Sequence, residues 1–194
     1  LSPTTEVFAG YSENFSAIKD GVLERDSSTL NEIEPETAEN IDFGIRYFGE
    51  RLNLQATAYM IEFNDRITFI APGSDTDGID YTIGTNGTYI NVGGIESDGI
   101  ELSATYKLTD NWELYGSFTK NDSTYIGDAP GFEAGQKVID SVDDMWVLSA
   151  NYYDGNLRFG ASTKYTGERG EAEDYIVSDM NIGYTVEFSG SGVN

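Results

Sequence analysis

The sequence predicts an all-β chain, an antiparallel transmembrane β-barrel of which these residues form a part of about eight strands. Three observations predict it. Apolar and polar side chains alternate with a period of two through most of the chain, which puts one face on an apolar medium and the other on water. Short and long connections alternate between those segments, as they do at the two ends of an outer-membrane barrel. Several segments also exceed the length of about 5–6 residues usual in a globular sheet, and reach the ~9–11 of a tilted membrane strand.

Eight alternating segments lie near 6–12, 36–48, 51–67, 95–108, 111–125, 143–153, 157–168 and 175–188. In the fourth, Ile100, Leu102, Ala104 and Tyr106 oppose Glu101, Ser103, Thr105 and Lys107. In the fifth, Trp112, Leu114, Gly116 and Phe118 oppose Glu113, Tyr115, Ser117 and Thr119. The parity assigns Ile100, Leu102, Trp112, Leu114, Phe118, Leu148 and Phe159 to lipid. It assigns Arg46, Gln55, Glu101, Lys107, Glu113, Arg158 and Lys164 to the lumen, where Lys107 and Glu113 are placed to pair around their turn. No helix of useful length and no clean repeat is present.

Tyr47–Arg51, Leu108–Trp112 and Tyr153–Leu157 read as tight hairpins, and Asp154-Gly155 suits a type I′ turn. Long connections fall near 13–35, 70–94 and 126–142, with a shorter one at 169–174. Tyr47, Phe48, Tyr106, Trp112, Tyr152, Tyr153 and Phe188 cluster beside the short turns or the matching chain end, where an aromatic girdle is expected. Two other architectures fit parts of the pattern. A complete eight-stranded barrel is the minimum bacterial size, though the abrupt start at Leu1-Ser2-Pro3 and the Gly/Ser-rich end read as cut. A soluble sugar-binding β-sandwich fits the composition, but gives no reason for sorted loops.

Composition narrows the chemistry. The chain carries 11 Lys plus Arg against 34 Asp plus Glu, a formal net charge of −23, so it lacks the basic surface that nucleic acid requires. With no Cys and no His, disulfides, Cys- or His-ligated metals, Ser-His-Asp triads and histidine proton shuttles are excluded. The chain therefore reads as a non-enzyme, with no cofactor and no metal site. Asp75-Thr76-Asp77-Gly78 resembles part of a calcium loop, but Gly73 and Gly84 stand where an EF-hand needs acids. Glu168, Glu171, Glu173 and Asp174 read as a solvated acidic loop. No apolar run approaches the ~20 residues of a membrane helix, which leaves a barrel untouched because its strands show lipid only every second side chain.

Val7–Tyr11 with Ser12-Glu13-Asn14, and Ile33-Glu34-Pro35-Glu36-Thr37-Ala38-Glu39-Asn40 leading into Ile41–Tyr47, resemble barrel strands of the TonB-dependent receptors. Asn64-Asp65-Arg66-Ile67, Asn91-Val92-Gly93-Gly94, Ser97–Leu102, Trp112–Phe118 and Asn121–Tyr125 continue that resemblance in order, from residue 7 to about 188. Family members often carry Lys or Arg near Asp98; this chain does not. The resemblance implies the later part of a barrel of about 22 strands. On that basis residues 1–194 are one part of a single barrel domain, without the family's plug domain and last strands. It implies a receptor in the outer membrane of a Gram-negative bacterium, surrounded by lipid and lipopolysaccharide. It also implies uptake of a scarce nutrient, driven by TonB and its inner-membrane complex through the plug. A ferric siderophore leads as cargo, with an oligosaccharide as competitor; the complete small barrel would instead be a passive pore. The candidate cargo contacts are Asp75, Asp77, Tyr81, Asn86, Tyr89 and Asn91, in the longest polar and aromatic loop.

Overall fold

Ten strands form, eight of them near the segments that the alternation predicts, in a computed structural model that describes residues 4–18, 33–70, 88–127, 133–139 and 141–186. They are β1 (Thr5–Ser16), β2 (Glu36–Phe48), β3 (Leu52–Asn64), β4 (Arg66–Ile70) and β5 (Thr88–Val92). β6 (Gly94–Lys107), β7 (Trp112–Ile126), β8 (Asp144–Asp154), β9 (Leu157–Thr166) and β10 (Tyr175–Tyr184) follow. One antiparallel sheet of eight strands runs β1-β2-β3-β6-β7-β8-β9-β10, and β4 with β5 makes a separate two-stranded ribbon. Among the described residues no second sheet packs on the first, so the β-sandwich reading is overturned.

Direct partners across an antiparallel pair project to the same face, and the register lines them up across the whole sheet. Val7, Ile45, Ala56, Leu102, Phe118, Trp146, Tyr165 and Ile176 form one row through all eight strands. One residue along, Glu6, Arg46, Gln55, Ser103, Ser117, Val147, Lys164 and Val177 form a mainly polar row on the opposite face. All seven residues expected on the apolar face and all seven expected on the polar face are segregated as the parity requires.

The apolar face is uncovered: Phe43, Leu148 and Met180 are all more than half exposed. Its lower edge is aromatic. Trp112 lies 5.1 Å from Tyr152 and 6.4 Å from Phe159, beside the short turns. Six residues up β7, Trp146 and Tyr165 stack at 5.6 Å in the Phe118 row. Above that the same face turns charged, at Glu13, Glu39, Glu62, Asp98, Lys120 and Asp144 on successive strands.

Three local expectations differ. The segment read as continuous over 51–67 breaks at Asp65, whose φ of 58° ends β3 and lets β4 leave the sheet. Asp tolerates this left-handed conformation better than most side chains. The connection expected at 70–94 thus begins and ends in the ribbon β4–β5, and the connection expected from residue 13 begins inside β1. At the β8–β9 hairpin only Gly155, the first of two loop residues, has positive φ (53°), the pattern of a type II′ rather than a type I′ turn.

Lys107 and Glu113 do face each other. The ion pairs among the described residues, however, are Arg51–Asp110, Lys120–Asp144 and Lys137–Asp143. Arg51–Asp110, at 4.0 Å and largely exposed, contributes little. Phe188 lies outside the described residues.

The two faces make opposite demands on one neighbouring pair of positions. Leu102→Lys, on the apolar face, should cost roughly 2–4 kcal/mol in a bilayer. Ser103→Lys, one residue along, should cost much less. Urea unfolding of the intact protein in lipid vesicles measures both, and equal losses would refute the assignment of faces.

Candidate functional site

Most polar side chains of the sheet point away from the apolar face, and at the long-connection end they converge. Tyr59 on β3, Ser97 on β6 and Asn121 on β7 lie on the polar parity of neighbouring strands. The Tyr59 hydroxyl donates to Asn121 Oδ1 at 2.7 Å, and Ser97 Oγ reaches the same oxygen at 3.0 Å. Asn121 Nδ2 donates to Ser123 Oγ at 2.9 Å and to Ser141 Oγ at 3.0 Å, while Ser97 and Ser123 share a 2.6 Å bond. The amide thus uses both donors and its acceptor, tying three strands to the β7–β8 connection.

Gly99 makes this possible. It sits directly opposite Tyr59, and a Cβ there would fall 2.5 Å from the Tyr59 hydroxyl and against the Lys120 carbonyl. Without a side chain at 99, the Tyr59 ring lies across β6 and reaches Asn121 on the next strand. Nearer the short turns, the Arg46 guanidinium lies 4.3 Å over the Phe8 ring and donates to Gln55 at 3.1 Å, so this cation is held in place.

Above the Asn121 network is a cavity of about 620 Å³. Phe63, Ile95 and Val138 give it apolar walls, and Ser97, Glu36 and Arg66 are among its polar lining. Glu36 Oε1 accepts from the Ile67 amide at 2.9 Å, which fixes where β4 leaves the sheet. An apolar cavity with a few convergent polar groups is the usual form of a small-molecule site.

Of the loop residues expected to touch cargo, Asp75, Asp77, Tyr81 and Asn86 lie outside the described residues. Tyr89 and Asn91 lie on β5. Asn91 Oδ1 accepts from Glu34 N at 2.7 Å, and its Nδ2 donates to the carbonyls of Glu34 at 2.9 Å and Asp65 at 2.5 Å. Its side chain therefore clamps the ribbon to the approach to β2. Tyr59, Ser97, Asn121 and Ser123 were not singled out by the sequence as a site. Their only signal there is polar parity near the long-loop end of adjacent strands, and register is needed to bring them together.

The whole chain, residues 1–194, matches the family model described as TonB dependent receptor-like, beta-barrel. Among solved structures, the copper transporter OprC superposes with a TM-score of 0.73 at 20% identity, over 96% of this chain and 30% of its own. The ferric citrate transporter FecA in its unliganded form gives 0.72 at 17% identity, over 97% of this chain and 30% of its own. The ferripyoverdine receptor of the outer membrane of Pseudomonas aeruginosa, bound to ferripyoverdine, gives 0.68 at 20% identity, over 96% and 26%. The chain thus spans less than a third of the length of these proteins, and no curated protein sequence matches it. A full-length family match, on a single antiparallel sheet with one apolar and one polar face, makes the chain a member of the TonB-dependent receptor family and a part of its β-barrel.

Proposed function

We propose that the chain is part of the barrel wall of an outer-membrane receptor in a Gram-negative bacterium, and that this receptor takes up a ferric siderophore. The observation that carries the reading is the cavity of about 620 Å³ on the polar face at the long-connection end. Its walls, with Phe63 and Ile95, suit the apolar or aromatic part of an organic chelator, and its hydroxyl and carboxylate lining suits polar groups at the edge. Iron-chelate receptors among the structural neighbours support the same class; one neighbour is a copper transporter.

Charge refines the cargo. A chain with a net charge of −23 repels a strongly anionic chelate, so a neutral or cationic one is favoured. Asn91 clamps the ribbon β4–β5 to the approach to β2, and Asp75, Asp77, Tyr81 and Asn86, in the sequence between those two strands, are a second set of cargo contacts in this proposal. The polar face lower down would be covered by a plug domain coupled to TonB and its inner-membrane partners. Residues 1–194 then form part of one barrel domain, and lipid and lipopolysaccharide cover the apolar face. The role needs no covalent step and no resident cofactor or metal.

Binding of iron chelates to the intact receptor tests this. Phe63→Ala should weaken binding by about tenfold, the loss of roughly 1–1.5 kcal/mol of aromatic contact. Uptake of radiolabelled iron should fall in step at limiting cargo. Unchanged affinity for every ferric chelate that the wild type transports would refute the cavity as a cargo site.

Asn121→Ala makes a separate demand, because it takes away the side-chain partner of the Tyr59 hydroxyl and of Ser141 and leaves Ser97 and Ser123 their bond to each other. It should lower stability by about 1–3 kcal/mol, while Tyr59→Phe, which removes only the outermost donor, should cost less. Thermal unfolding of the intact protein in detergent gives the comparison, and the reverse order would contradict the network.

A further inference from the structure

The apolar face is not a uniform wall. Ala104 and Gly116 are direct partners on β6 and β7, and Ala56 lies on β3 in the next row up. Larger side chains surround these three: Tyr47 and Leu54 on one side, Phe118, Trp146 and Leu148 on the other. The result is an apolar slot of about 630 Å³ sunk into the outward face. On β7 it begins at Gly116, four residues above the girdle residue Trp112, and ends at Phe118. Directly above its end, Lys120 Nζ and Asp144 Oδ1 pair at 3.1 Å, both half exposed.

We propose that the slot holds one acyl chain of a membrane lipid, whose headgroup meets the Lys120–Asp144 pair. The inference rests on the membrane placement proposed above and not on the cargo. Three features favour this occupant. The slot is continuous with the apolar band, and it opens only to the medium that covers that band. It points from mid-band toward the first charged groups on the same face, as a lipid in the leaflet on the long-connection side does. Lys120 has donors beyond the one used on Asp144, and Asp144 supplies an acceptor, so the pair matches a polar or phosphorylated headgroup.

A second copy of the chain fits less well. A two-fold contact must be self-complementary, and a slot facing a slot leaves a void. In a bilayer the gain comes from close packing rather than from leaving water. A filled slot recovers contacts that a bare wall of small residues would lose.

Reconstitution of the intact protein into phosphatidylglycerol–phosphatidylethanolamine vesicles, with a trace of phosphatidylethanolamine carrying a photoreactive acyl chain, tests the proposal. Cross-linked residues are mapped by mass spectrometry. Phe43, on the same face but outside the slot, is 62% exposed, against 37% for Phe118. Labelling above Phe43 at Leu102, Phe118 and Leu148 is the expected result.

Gly116→Leu fills the slot. A Cβ there meets Leu148 Cδ2 at 3.3 Å and only Val147 O besides, at 3.9 Å, so the side chain has room outward. This variant, and Ala104→Leu independently, should cut slot labelling several-fold with Phe43 unchanged. Labelling that follows exposure, insensitive to both variants, would overturn the slot and leave the membrane reading intact. Cross-links between two copies at these residues would overturn it in favour of self-association. Failure of the protein to insert in vesicles would overturn the membrane reading itself.

Discussion

Everything in this chain depends on the register of its antiparallel pairing. Side chains alternate with period two, so a slip of one residue on any strand would carry its apolar set to the opposite face. Seven pairings hold the Val7–Ile176 row in phase across eight strands. The tight hairpins enforce this locally. β8 and β9 turn over two residues, and Gly49 N bonds Leu52 O at 2.9 Å in the β2–β3 turn. No core of the ordinary kind backs the sheet up, since Ile33 is the only large apolar side chain buried among the described residues. The medium on the apolar face, and whatever fills the lumen, take its place.

The tilt of the strands follows from the same register. The outward face first becomes charged at Glu62 on β3 and at Asp144 on β8, and Asp144 lies four residues lower across three strand spacings. With ~3.3 Å per residue and ~4.8 Å between strands, that descent corresponds to a tilt of about 40°. The aromatic edge descends in parallel: Tyr47 on β2 shares a row with Gly116, and Trp112 lies four residues below it on β7. Two boundaries of different chemistry give the same slope, within the ~35–45° at which membrane barrel strands run. A flat sheet in water has no reason to show either.

The strands and their faces were legible in the sequence because period two and sorted loop lengths are local signals. Leu102 and Phe118 need only their own neighbours to be placed. Strand ends were less legible where the signal is a single residue: nothing in Asn64-Asp65-Arg66 distinguishes a continuing strand from one broken by positive φ. The polar site was least legible. Tyr59, Ser97 and Asn121 lie far apart in sequence and meet only through register and through the absence of a side chain at Gly99. Asn91 shows the converse: its residue type and its loop pointed to cargo, whereas its amide is engaged with the backbone of Glu34 and Asp65.

The acidity of the chain is also organised by the sheet. Glu13, Glu39, Glu62 and Glu96 are direct partners on four successive strands, on the outward face. Like charges so placed repel, by about 1 kcal/mol at 4 Å in water and about four times that in a partly buried setting. The row is therefore tolerable only in water and must stand clear of the hydrocarbon. Of the cations on described strands, Arg46, Lys107 and Arg158 are instead on the polar face toward the short-turn end. The charge of the described strands is thus polarised along them, acidic at the long-connection end and nearly balanced at the other. A field of that form draws cations toward the mouth before any contact is made, whatever the shape of the site they then enter.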